Sequence, residues 1–211
     1  MGFIENALHP DRKRQENWQT FSSDVGGIFI SEGPSSGYEV HIPFKGHQII
    51  VSTRTEGHAK RTVLSTKYSS GDFQFKIFGW GGLKIPVVDR DPYLNSECPE
   101  LAPSVNVEFN NSKKMNRLLA SQTLCKFVIE APYHFTLEAG PDQLCLDNRA
   151  HGSKENGVIT DVDHLHAVLN VFKCTLHRME IIDSASAGDV RNALKAEIAV
   201  NSASTYKLNL R

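Results

Sequence analysis

The spacing of apolar side chains changes along this chain, and that change constrains the fold more than any other feature. Apolar residues alternate with polar ones between Tyr38 and Trp80, and they recur every three or four residues between Val162 and Ile182. A period of two is typical of a strand with one buried face, and a period near 3.6 of an amphipathic helix. The chain is therefore predicted to have an α+β fold, with a sheet early and a helix packed on it later.

Short turn signals separate the predicted strands. Lys45-Gly46 and the segments 33–37 and 69–72 are rich in glycine, proline or small polar residues. Connections this short join antiparallel neighbours rather than parallel ones. We therefore predict an antiparallel β-meander over residues 28–80, extended by strands at 105–109 and 135–146.

Two or three helices are predicted to pack on one face of this sheet. They are expected at 112–130 and 161–182, with a shorter helix inside the N-terminal segment 1–22, where Trp18 and Phe21 share a helical face. We predict one α+β domain over residues 1–183. A C-terminal helix or tail is predicted for the remainder, residues 184–211.

The composition is that of an ordinary globular protein, with 40% hydrophobic and 22% charged residues in a chain of 211. Because 23 basic residues face 24 acidic ones, there is no overall field to attract a polyanion, and nucleic acid is not a predicted partner. The apolar stretches are far shorter than the roughly 20 residues of a transmembrane helix. The early acid Glu5 argues against a secretory signal, so a cytoplasmic location is predicted.

Four cysteines are widely spaced in the sequence, at Cys98, Cys125, Cys145 and Cys174. No pair has the Cys-x-x-Cys spacing of a metal or redox site. Most of them lie among apolar residues, where a thiol behaves as a small hydrophobic side chain. The prediction is four reduced, unpaired cysteines.

Thr160-x-x-Asp163 resembles a capping box at the start of the last predicted helix. The histidines that follow, His164 and His166, would lie about 200° apart on that helix, whereas a ligand pair needs a spacing of three or four. No nucleophile elbow, P-loop, dinucleotide fingerprint or zinc-protease motif is present in the sequence. No metal and no cofactor are predicted.

The long segment 81–104 has no apolar period and carries scattered acids, among them Asp89 and Asp91. Irregular segments of this length inside a domain are usually functional or mobile. We therefore predict a non-catalytic interaction or binding module that acts through this loop, with a protein partner or a second copy of the chain as its partner. The aromatic Trp80, directly before the loop, is a candidate binding residue.

Three histidines near predicted turns, His41, His47 and His58, are further candidate binding residues. One of them could act as a general base in a cleft beside Asp89 or Asp91, which leaves a small hydrolase-like enzyme as an alternative. A small-molecule binding domain is the second alternative. The absence of any nucleophile paired with a base favours the non-catalytic role over the enzyme.

The order of elements resembles that of a widespread family of uncharacterised bacterial proteins, in which membrane helices often precede the domain. The matching stretches are Trp18, Gly37-Tyr38, Phe73-x-Phe75, Val107-x-Phe109, Leu118-Leu119, Phe135-x-Leu137 and Gly157-Val158-Ile159-x-Asp161-x-Asp163-x-Leu165. The resemblance implies a similar fold, a bacterial source and a non-enzymatic role. It also leaves a peripheral membrane setting open.

Overall fold

A computed structural model describes residues 10–31, 37–56, 59–80, 105–130, 134–149 and 157–184. The strands are β1 (Ile28–Ser31), β2 (Tyr38–Phe44), β3 (His47–Glu56), β4 (Ala59–Lys67), β5 (Phe75–Trp80), β6 (Val105–Phe109), β7 (His134–Ala139) and β8 (Gln143–Arg149). The helices are α1 (Pro10–Asp24), α2 (Ser112–Leu119), α3 (Gln122–Glu130) and α4 (Val162–Ser184). The predicted loop 81–104 and tail beyond 184 lie outside the described residues.

The strands form one antiparallel sheet in the order β1-β2-β3-β4-β8-β7-β5-β6. The predicted α+β fold is confirmed. The sequence suggested that β5 follows directly beside β4, but the β7–β8 hairpin lies between them. Two hydrogen bonds after β4 account for the separation of β5 from β4. Tyr68 N donates to Asp142 O, and Ser70 Oγ donates to Gly140 O. The chain that leaves β4 therefore runs over the tip of the β7–β8 hairpin before β5 begins.

One face of the sheet, the inner face, forms the core with the helices. A row of apolar side chains crosses five strands on this face, formed by Val51, Leu64, Leu146, Leu137 and Ile77. Helix α4 covers it with the predicted apolar stripe, including Leu169 and Phe172, and α1 contributes Trp18 and Phe21. Full burial of such a side chain stabilises the fold by about 1.5–3 kcal/mol.

Local signals set the helix ends. Asn111 caps α2 by accepting a hydrogen bond from Lys114 N, and Ser121 Oγ accepts one from Leu124 N where α3 begins. The long helix α4 is capped by Asp161, whose Oδ1 accepts from His164 N at 2.8 Å. The capping-box pattern predicts the cap one residue earlier, at Thr160. The structure uses Asp161 instead, since an aspartate caps a helix at least as well as a threonine.

The prediction of four unpaired cysteines is wrong, because Cys125 is disulfide-bonded. The thiols of Cys145 and Cys174 are not disulfide-bonded. Distance along the sequence does not limit which side chains a fold brings together, so wide spacing was a poor guide.

Within the described ranges, no helix is both long enough and apolar enough to cross a bilayer.

Candidate functional site

The face of the sheet opposite the helices, the outer face, carries a broad groove at one end of the central strands. The groove has a volume of about 830 Å³. The strand registers place the side chains of its main lining residues together on this face: Gln48, Ile50, Ser65, Lys67, Glu138 and Gln143. The turn between β7 and β8 closes one side of the groove with Pro141 and Asp142.

Three polar side chains in the groove have unused hydrogen-bonding capacity. Lys67 and Gln143 lie directly opposite each other on β4 and β8, and Ser65 lies two residues before Lys67 on the same face. None of the three side chains has a hydrogen bond or an ion pair with any residue that the structure describes. Together they offer an ammonium, a carboxamide and a hydroxyl, so both donors and acceptors face the groove.

The flanks of the groove are fixed by side-chain contacts. The Gln48 carboxamide lies 3.2 Å from His41 Nδ1, and Glu138 lies 3.8 Å from the Lys76 ammonium. These contacts orient side chains on β3 and β7 without closing the groove between them.

The centre of the outer face is more buried than the groove. Arg61 donates to Asp147 at 2.6 Å, and Arg54 lies directly opposite Arg61 on the neighbouring strand. Cys145 lies two residues before Asp147 on the same face, and burial raises the pKa of its thiol to about 11. At neutral pH this thiol is protonated and therefore a poor nucleophile.

A titratable cluster lies on the inner face near the end of α4. His47 Nε2 lies 2.8 Å from Glu180 Oε1, and His177 Nδ1 lies 3.5 Å from Glu180 Oε2. One carboxylate thus serves two imidazoles and links β3 to α4.

A second ion-pair network lies beside it. The Tyr68 hydroxyl donates to Asp183 at 2.7 Å, and Lys114 donates to Asp183 at 2.8 Å and to Asp72 at 2.6 Å. Burial, followed by the bond to Asp183, raises the pKa of Tyr68, while the bond from Lys114 lowers the pKa of Asp72. Burial acts to lower the pKa of Lys114, but its two hydrogen bonds outweigh this and the pKa is raised. Each charge here is neutralised by a neighbour, as in a structural network.

A small cavity of about 160 Å³ lies at the start of α4. Asn148 and His164 line it, and Asn148 Nδ2 lies 3.4 Å from His164 Nε2. Burial lowers the pKa of His164, although the carboxylate of Asp161 partly opposes this.

The structure separates two of the candidate residues proposed from the sequence. His41 lies on the outer face, 3.0 Å from Glu39 Oε2, whereas His47 lies on the inner face with Glu180. Trp80 pairs with His134 in the sheet register. The other three candidates, His58, Asp89 and Asp91, lie outside the described residues.

The groove side chains were not identified from the sequence. Lys67, Gln143 and Ser65 are ordinary polar residues on the outer side of strands, and the sequence gives no sign of the strand order that brings β4 and β8 together. Among the described residues, no group of three or more His, Cys, Asp or Glu side chains could hold a metal ion.

Comparisons with known proteins give one distant structural likeness to report. No protein-family model matches the chain, and no curated protein matches it. The crystal structure of the mycobacterial trehalose monomycolate transport factor A, TtfA, is similar over 83% of this chain and 96% of that chain, with 12% identity and a TM-score of 0.48. The functional inference therefore depends on the residues of the site.

Proposed function

We propose that this protein is a non-catalytic binding module that holds a polar ligand in the groove of its outer face. The observation that carries the proposal is the convergence of Ser65, Lys67 and Gln143, three groove side chains without described partners. Exposed polar groups that converge in a concave site are typical of ligand recognition.

The groove chemistry favours a ligand that has both hydrogen-bond acceptors and donors. Lys67 supplies only donors, whereas the Gln143 carboxamide and the Ser65 hydroxyl supply both donors and acceptors. A segment of a protein partner offers backbone carbonyls and amides in this mixture, so a peptide segment is the ligand class we favour.

The state of the titratable groups supports binding over catalysis. The carboxylates of Glu180 and Asp183 are already engaged by His47, His177, Tyr68 and Lys114 on the inner face. A general base needs access to a substrate proton. The hydrogen bonds of these groups instead hold α4 against the sheet.

Binding through the loop 81–104, as predicted from the sequence, is the alternative to binding in the groove. A variant lacking residues 85–103 would separate a loop-centred interaction from one centred on the groove. If the partner binds the groove, this deletion leaves groove binding intact.

A peptide screen by NMR tests the groove directly. Short polar peptides are added to ¹⁵N-labelled protein, and the wild type is compared with the triple variant Ser65→Ala, Lys67→Met, Gln143→Leu. A matched control carries Ser23→Ala, Lys113→Met and Gln19→Leu, which change the same residue types at exposed positions of the helices.

We expect binding peptides to shift amide signals at residues 48–50, 65–67 and 138–143. These shifts should disappear in the groove variant and persist in the helix control. Peptides that shift other regions only, or that bind the groove variant as tightly as the wild type, would refute the groove as the site. Chemical conversion of a groove ligand would favour the enzyme alternative.

A further inference from the structure

Two lysines at the far end of the β2–β3 hairpin share one aromatic ring. The Lys45 ammonium lies 5.6 Å from the centre of the Phe44 ring, and the Lys173 ammonium lies 5.4 Å from the same centre. Lys45 belongs to the turn after β2, and Lys173 belongs to the middle of α4. The fold therefore brings two cations from distant parts of the sequence to one apolar surface.

Neither cation has an acidic partner among the residues that the structure describes. In the described ranges, no hydrogen bond or ion pair involves the side chain of Lys45 or Lys173. Lys173 is half-buried, and burial lowers its pKa. A desolvated ammonium without a counter-charge is unfavourable unless something compensates it. The Phe44 ring compensates only in part, because a cation–π contact is weaker than a charge pair.

The backbone of Lys45 is also unusual. Its φ of 47° makes it the one non-glycine residue with positive φ in the part of the chain that the structure describes. Gly46 follows with φ of 83°, so both turn residues have the positive φ of a type I′ turn, where asparagine and glycine are the usual residues. A lysine in this position is disfavoured locally, and such outliers cluster at functional sites.

We propose that Lys45 and Lys173 form a binding site for a compact oxyanion of the phosphate class beside the Phe44 ring. An oxyanion between the two ammonium groups would accept charge-assisted hydrogen bonds from both and neutralise the half-buried Lys173. Phe44 would provide the apolar floor of the site.

The surrounding charges are compatible with an anion. Glu180 is the acid on α4 nearest to this region in sequence, and its carboxylate is engaged by His47 and His177 rather than by either lysine. His47 lies opposite Phe44 in the β2–β3 register, and His177 lies one helical turn after Lys173. The site is therefore bordered by two imidazoles that occupy the local carboxylate.

This site adjoins the proposed groove, which Gly46 and His47 also line, but it uses different side chains. Phe44 lies on the inner face of the sheet, whereas Ser65, Lys67 and Gln143 lie on the outer face. The two proposals can therefore fail independently. The groove variant should bind phosphate as the wild type does.

The first experiment titrates inorganic phosphate into ¹⁵N-labelled protein at constant ionic strength, with chloride as the balancing anion. The first variant is Lys45→Asn, because asparagine tolerates the positive φ of this turn. The second is Lys173→Met, which removes the ammonium group but keeps an apolar side chain of similar length. Lys113→Met, at an exposed position of α2, is the control for loss of one positive charge.

We expect saturable shifts at residues 44–47 and around Lys173. Each lysine variant should bind phosphate about tenfold or more weakly, since each loses a charged hydrogen bond. Phosphate should also raise the Tm of the wild type and of Lys113→Met more than that of Lys173→Met. A melting curve of each variant without phosphate checks that it is folded.

A second arm identifies the source of the oxyanion. Flotation compares vesicles of phosphatidylcholine with vesicles that also contain phosphatidate, which presents a phosphate monoester. Binding that requires phosphatidate and both lysines indicates a lipid headgroup, and binding of free phosphate alone indicates a soluble ligand. The proposal is overturned if neither form binds, or if binding persists unchanged in Lys45→Asn and Lys173→Met.

Discussion

The indole nitrogen of Trp18 donates a hydrogen bond of 3.0 Å to the carbonyl oxygen of Ile159, which joins α1 to the segment before α4. Asn17 Nδ2 donates to Thr160 O beside it, and Ile159 N donates to Thr62 Oγ1 on β4. This segment is therefore held between the first helix and the sheet. The N-terminal helix is part of the core rather than an appendage to it.

Replacing Trp18 should show how much this hydrogen bond and the buried indole stabilise the fold. Trp18→Phe keeps an aromatic ring but leaves the buried Ile159 carbonyl without its indole donor, so we expect a loss of about 1–3 kcal/mol in the free energy of unfolding. Trp18→Ala should lose roughly 3–5 kcal/mol, because the side chain is fully buried. Urea denaturation measures both, with Asn17→Ala as the control for loss of the neighbouring bond. A Trp18→Phe protein as stable as the wild type would contradict the role of the hydrogen bond.

The ion pair between Arg61 and Asp147 should matter mainly because Arg54 lies opposite Arg61. Like charges directly across a strand pair are unfavourable, and Asp147 offsets the repulsion. We therefore expect Asp147→Asn to be more destabilising than Arg61→Met, by about 1 kcal/mol. A second change, Arg54→Gln, should recover part of the stability of Asp147→Asn. Equal effects of the two single variants in urea denaturation, with no recovery, would disprove this account.

Much of the fold was predictable because its signals are local. The alternation from Tyr38 onward and the polar start of α4 at residues 160–163 each depend on a few neighbouring residues. The apolar stripe through Leu169 and Phe172 likewise determines which face of α4 is buried. Such features follow from side-chain spacing and hydrogen-bonding chemistry alone.

The candidate sites depend on strand order, which local spacing does not determine. The same apolar face on β4 could pair with β5 or with β8, and pairing with β8 brings Lys67 opposite Gln143. Lys173 has nothing unusual about it in sequence. Its lack of an acidic partner within the described ranges becomes visible only when α4 lies against Phe44. The separation of His41 from His47 across the sheet shows the same limit.

His164 should make the stability of the protein depend on pH. Burial lowers its pKa below the ordinary value of 6.5, so the folded state disfavours the imidazolium. The stability that comes from keeping His164 neutral is fully present above pH 6.5, the pKa of the unfolded state. It is lost as the pH falls through the lowered pKa of the folded state, because the unfolded state takes up the proton first. His164→Gln should flatten this part of the stability curve, and His41→Gln, which replaces a half-buried histidine of the outer face, is the comparison. An NMR titration that places the pKa of His164 at or above 6.5 would contradict the prediction.

The state of the cysteines can be tested by alkylation before and after reduction. Cys125 is disulfide-bonded, so in denatured, unreduced protein a mass-labelled reagent should modify Cys145 and Cys174 but reach Cys125 only after reduction. In the native protein Cys145 should react slowly, because burial raises the pKa of its thiol to about 11 and leaves little thiolate. Disulfides persist in oxidising compartments, whereas cytosolic thiols are kept reduced. Labelling inside intact cells therefore also tests the predicted cytoplasmic location. Modification of Cys125 without reduction would support that location and contradict the disulfide. Protection of Cys125 from the reagent would argue for an oxidising compartment.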